Sequence, residues 1–139
     1  MKKVLFLCTH NSCRSQMAEG LINHFLGNRY QAFSAGTEAT MVNQLAIEVM
    51  AELGIDMSKH FSKTLEELAG EQFDHVITLC GSANELCPVY VGGVKRVHIG
   101  FDDPSRTVGN QGEVMQDFRR VRDEIKERLI AYLARGQHE

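Results

Sequence analysis

An unbroken apolar run at residues 4–7 is followed, after one short polar loop, by apolar side chains at helical spacing: Met17, Leu21, Ile22, Phe25 and Leu26, closed by Gly27. A run that short, apolar at every position, suits a strand buried on both faces, as strands of parallel sheets are. The alternation recurs along the chain. Strands are expected over residues 30–34, 73–79 and 94–101, and helices over 45–53, stopped by Gly54, and 64–69, capped by Ser62 or Thr64. A long C-terminal helix ending at Gly136 places Val114, Phe118, Val121, Ile125, Leu129 and Tyr132 on one face. Arg119, Arg122, Glu124 and Lys126 are expected on its solvated side. Together these elements predict an α/β fold, a four-stranded parallel sheet with helices on both faces.

The chain has 139 residues, 43% of them hydrophobic, no internal repeat and only two prolines, Pro88 and Pro104. A single domain over residues 1–139 is expected, with a core that needs no stapling by disulfides or metal. Fifteen basic residues against eighteen acidic ones leave a formal charge of -3, so nucleic acid is not an expected partner. The N-terminal apolar run is too short for a secretory core, and no stretch approaches the ~20 apolar residues of a membrane span. The expectation is a cytoplasmic protein without membrane contact. Stable disulfides are uncommon there, so Cys8, Cys13, Cys80 and Cys87 call for another explanation.

Ligands of open parallel sheets bind beyond the carboxyl ends of the strands. The first strand leads directly into Cys8 of the segment CTHNSCRS, residues 8–15. Between Cys8 and Arg14 lie Thr9, His10, Asn11, Ser12 and Cys13, enough backbone to curl its amides into one bowl at the start of a helix. A tetrahedral oxyanion fits such a bowl. Arg14 supplies a planar fork of donors, Cys8 lies beneath the central atom, and the positive field favours its nucleophilic thiolate. Ser15 is placed to add a hydroxyl hydrogen bond to that thiolate. Cys13 is assigned a packing role. A second pair, Cys80 and Cys87, has six residues between its members, which is not the C-x2-C spacing of a zinc knuckle or thioredoxin motif. With the first and third strands adjacent, Cys80 is expected to face the same pocket as Cys8.

These motifs resemble a known family. CxxxxxRS at the N-terminus and Asp103-Pro104 much later are similar to the low-molecular-weight protein tyrosine phosphatases. The cysteines at 80 and 87 bring the chain closer to the thioredoxin-coupled arsenate reductases of that fold, as do QMAEG at 16–20, SAGT at 34–37, VITLC at 76–80, CP at 87–88 and FDDP at 101–104. The resemblance implies a flavodoxin-like strand order 2-1-3-4 and Asp103 as the general acid. It also implies arsenate as substrate, with Cys8 as nucleophile. A Cys8–Cys80 and then a Cys80–Cys87 disulfide would follow, re-reduced by external thioredoxin. No bound cofactor or metal is expected, and the protein should be a monomer.

Two departures from the family pattern stand out. His10 occupies a loop position that is Gly in much of the family. Some members bind potassium beneath the loop; the matching positions here are Asn11, Glu19, Ser34 and Lys63, so an ammonium replaces the acidic ligand and is expected to pair with Glu19. The nearest rival reading is a tyrosine phosphatase. Against it, Ser105, Arg106 and Thr107 follow Asp103-Pro104 where tyrosines would line a phosphotyrosine pocket. A metal-binding or arsenite-sensing module is the rival from another class, and no zinc-ligand spacing supports it.

Overall fold

The computed structural model describes residues 1–81 and 95–136. Its elements in chain order are β1 (Lys2–Cys8), α1 (Arg14–Phe25), β2 (Tyr30–Gly36), α2 (Gln44–Ala51), a 3-10 helix (Leu65–Leu68), β3 (His75–Thr78), β4 (Lys95–His98), a second 3-10 helix (Pro104–Arg106) and α3 (Gln111–Gly136). The four strands form one parallel sheet in the order β2-β1-β3-β4. Because the chain moves to one side of β1 for β2 and to the other for β3, the switch in strand order falls at the carboxyl end of β1.

Alternation along β1 sorts its side chains between two clusters. Val4 and Phe6, with Ile77 and Leu79, are buried beneath α1, α2 and α3. Leu5 and Leu7, with Ala35, Phe73 and Val76, are buried on the other face, where Leu65 and Leu68 of the first 3-10 helix pack. Burial of each large apolar side chain contributes about 1.5–3 kcal/mol, so a central strand buried throughout is firmly held. Among the described residues no helix is long and apolar enough to cross a membrane.

Capping sets the helix starts. Asn43 Oδ1 accepts from the amides of Leu45 and Ala46 at 2.8 and 3.4 Å. Of the two caps expected for the helix near residue 65, Thr64 is used, in a reciprocal pair with Glu67. Ser62 instead donates to the His10 carbonyl at 3.0 Å and accepts from the Thr40 amide at 2.9 Å, tying two loops to the bowl.

The structure corrects the sequence expectation at three places. β3 ends at Thr78 and β4 at His98, short of the expected 79 and 101, so Cys80 and Asp103 lie further beyond paired strand. On α3 the fully buried series is Phe118, Val121, Ile125, Leu129 and Leu133, and Tyr132 is only partly buried. Arg122, expected on the solvated face, is buried: it stands one turn after Phe118, and its Nη1 donates to the Val49 carbonyl and to Glu52, both at 2.8 Å. That guanidinium joins α3 to α2.

Candidate active site

β1 delivers Cys8 and α1 begins at Arg14, so the loop between them sits at the topological switch point. Cys8 is 3% exposed and Arg14 4%. No side chain caps the first turn of α1, which leaves its leading amides to the bowl. The loop lies against the end of β2: a Cβ added to Gly36 would come within 2.6 Å of the Thr9 carbonyl and 2.9 Å of the Asn11 amide. Only glycine permits that approach. The Thr9 carbonyl also accepts the amides of Thr37 and Glu38 at 2.9 and 3.1 Å.

Asn11 is fully buried with φ at 51°. Asparagine tolerates that left-handed conformation better than most residues. Its Oδ1 accepts from the Lys63 amide and from Gln16 Nε2, both at 2.9 Å, which fixes which end of the side-chain amide is oxygen. Its Nδ2 therefore donates to Ser15 Oγ at 2.8 Å. Ser15 Oγ also lies 2.9 Å from Cys8 Sγ. Accepting from Asn11 leaves the hydroxyl hydrogen free for that sulfur, the direction a thiolate at Cys8 would require.

Arg14 Nη1 donates to the Phe101 carbonyl at 3.1 Å, and its Nη2 lies 3.6 Å from Asp103 Oδ2. Cys8, His10, Ser12, Cys13, Arg14, Thr40, Asp103 and Ser105 line one cavity of about 240 Å³. Burial acts to raise the Asp103 carboxyl. The Ser105 hydroxyl, Arg14, the Ser105 amide and Cys13 outweigh it and hold the group below the usual carboxylate value. Cys13 behaves oppositely. Burial, with the charges of Asp103 and Cys8, pushes its thiol up to about 12.

Several expected site residues lie elsewhere. Thr9 and Asn11 hold the loop without lining the cavity. Cys80 is buried and carries no disulfide, yet it does not line the cavity as expected. It follows Leu79, whose amide is bound to the Leu7 carbonyl at 2.9 Å, and its own carbonyl lies against Gly100. Gly81 comes next, where a Cβ would meet the Phe101 carbonyl at 2.1 Å. The segment 79–81 is thus held against the backbone that anchors Arg14. Cys87 falls outside the described residues.

Beneath the loop, Lys63 Nζ lies 3.5 Å from Glu19 Oε1, which also accepts Ser34 Oγ at 2.7 Å. The ammonium donates to the Phe61 carbonyl at 3.3 Å and sits over the Phe61 ring. His60 Nδ1 stands 3.0 Å from Gln16 Oε1 and 3.6 Å from Glu19. The group meeting Glu19 is an ammonium where a potassium site would need another oxygen, so these residues do not fit that ion. Among the described residues no cluster of His, Cys, Asp and Glu is placed to hold a metal. Two wall residues, Thr40 and Ser105, carried no assigned role in the sequence. Ser105 had a local signal, since a serine after Asp-Pro commonly bonds back to the aspartate; Thr40 had none.

Residues 3–139 match the low molecular weight phosphotyrosine protein phosphatase family. The chain belongs to that family. Within this family it groups with the arsenate reductases and is an enzyme. The arsenate reductase of Halalkalibacterium halodurans is 46% identical over 136 residues, covering 98% of each chain. An arsenate reductase solved in a phosphate-binding state superimposes with a TM-score of 0.82 at 37% identity, covering 97% of this chain and 98% of that one. A thioredoxin-dependent arsenate reductase of Corynebacterium glutamicum gives a TM-score of 0.65 at 27% identity, over 94% of this chain and 61% of that one.

Proposed function

We propose that the chain reduces arsenate to arsenite through a thiol relay completed by thioredoxin. The observation that carries this reading is the small cavity that Cys8, Arg14 and Asp103 line together. Among its described lining residues there is no tyrosine or phenylalanine, so the cavity suits a bare oxyanion better than a phosphorylated aromatic side chain.

In this mechanism the loop amides and Arg14 bind arsenate, and the Ser15 hydroxyl supports the Cys8 thiolate during attack on arsenic. An As–O bond breaks as the S–As bond forms. Asp103 passes a proton to the departing oxygen, which leaves as water. Cys80 then attacks Cys8 Sγ. The S–As bonding pair stays with arsenic, which falls from As(V) to As(III) and leaves as arsenite, while the two sulfurs are oxidised to a disulfide. Cys87 displaces Cys8 from Cys80, and thioredoxin reduces the resulting Cys80–Cys87 disulfide by thiolate exchange. A cytoplasmic setting, where thiols are kept reduced, and a monomeric enzyme accord with this cycle.

The shared bowl also favours weak hydrolysis of small aryl phosphates, with water resolving a cysteinyl phosphate. Arsenate-dependent NADPH oxidation through thioredoxin and its reductase, compared with para-nitrophenyl phosphate hydrolysis, separates the two activities. The relay itself is tested by Cys87→Ser, which should release a single arsenite per enzyme. Full multiple turnover by that variant with thioredoxin would refute the relay.

A further inference from the structure

Among the described residues, the polar groups facing the Asp103 side chain are donors. Oδ1 receives the Ser105 hydroxyl at 2.6 Å, the Ser105 amide at 3.0 Å and the Cys13 thiol at 3.6 Å. Oδ2 faces Arg14 Nη2 at 3.6 Å and Arg106 Nε at 3.7 Å. A protonated carboxyl needs an acceptor for its O–H, and here a proton on either oxygen would point at donors. The Ser105 hydroxyl is able to reverse and the thiol sulfur is at best a weak acceptor, whereas the Ser105 amide on the same oxygen and the two guanidinium groups cannot accept. Cys13 keeps its proton, because its thiol is pushed up to about 12.

We propose that Ser105, backed by Cys13, is a positioning residue that keeps Asp103 an anion in the resting site, and that the proton Asp103 passes to the departing oxygen arrives on the oxyanion itself. The inference rests on the arsenate reading and deepens it by naming the protonation state of the substrate: the singly charged, doubly protonated oxyanion. The Cys8 thiolate and dihydrogen arsenate then react without an outside acid. One hydroxyl leaves arsenic as the S–As bond forms. The proton of the other hydroxyl travels by way of Asp103 Oδ2 to the leaving oxygen, which departs as water. Two negative charges enter the step and two remain on the thioarsenate, with arsenic still As(V) and Asp103 returned to its carboxylate.

The decisive probe is inorganic phosphate, bound to the Cys8→Ser protein so that no thiol titrates. Calorimetry in buffers of differing ionisation enthalpy, above the second ionisation of phosphate, counts the protons taken up. The expected result is about one proton per phosphate bound with Asp103 present and close to none after Asp103→Asn. Phosphate binding without uptake in the presence of Asp103 would overturn proton delivery by the oxyanion. In a second arm, the Asp103 carboxyl of the unliganded protein is titrated by NMR. Ser105→Ala should raise its midpoint by about one pH unit, roughly tenfold in proton affinity, and Ser105→Thr should restore it. An unmoved midpoint would overturn the role of Ser105. Neither measurement involves arsenate or turnover, so wild-type inactivity toward arsenate would strike the function reading and leave both results legible.

Discussion

Asn11 concentrates more structural work than any other loop residue, and its replacement separates side-chain bonding from backbone conformation. Asn11→Ala leaves the Lys63 amide without its acceptor and takes the Asn11 donor from Ser15, while Gln16 Nε2 retains the Phe61 carbonyl at 2.9 Å. A buried amide without a partner costs about 1–3 kcal/mol, and a lost neutral hydrogen bond about 0.5–1.5 kcal/mol. Alanine held at the φ of 51° adds about 1–2 kcal/mol. The sum is about 2.5–6.5 kcal/mol, a large share of the roughly 5–15 kcal/mol that keeps a domain folded. Asn11→Gly suffers the same bonding losses without the conformational one, so it should be about 1 kcal/mol more stable than the alanine variant. Urea unfolding of the three proteins measures both differences. The reasoning fails if Asn11→Ala lies within about 1 kcal/mol of wild type, or if glycine is no better than alanine.

Two further outcomes follow from the charges around the loop. Replacing potassium with another monovalent cation should leave activity unchanged, since the Lys63 ammonium already meets Glu19; several-fold activation by potassium in steady-state assays would contradict this. Asp103 is held below its unfolded value in the native state. Its contribution to stability is therefore present above the unfolded carboxylate value and is lost as pH falls through the lower folded one. In urea unfolding from neutral to acid pH, wild type should exceed Asp103→Asn in stability near neutrality. That gap should narrow as pH drops below about 4, and a gap constant across the range would contradict the assignment.

Much of the architecture was legible because it is written locally. The apolar run of β1, the helical spacing of α1 and the Ser62-or-Thr64 cap of the short helix near residue 65 act over a few residues, where backbone geometry and side-chain chemistry leave few alternatives. Arg122 shows the limit of that reading. Its charge argued for solvent, yet its place one turn from Phe118 turns it inward, and the carbonyl of Val49 and the carboxylate of Glu52 compensate its burial. Cys80 shows another. Strand adjacency brought it near the end of β1, but the contact of Gly81 with the Phe101 backbone decides how the chain leaves β3, and that contact has no signature in either segment alone.

The sequence by itself determined the loop from Cys8 to Arg14, because these residues and the amides between them lie on one short segment between a strand and a helix. Tertiary structure alone decided what surrounds that loop. Cys13 and Asp103 meet across ninety positions of chain, and Lys63 reaches Glu19 because β2 and the turn before residue 64 both close against the base of the bowl. Short-range spacing is set by bond lengths and dihedral preferences. Which donors face the Asp103 carboxylate depends on strand order and on how loops from separate strands settle together, and that arrangement governs where its proton resides.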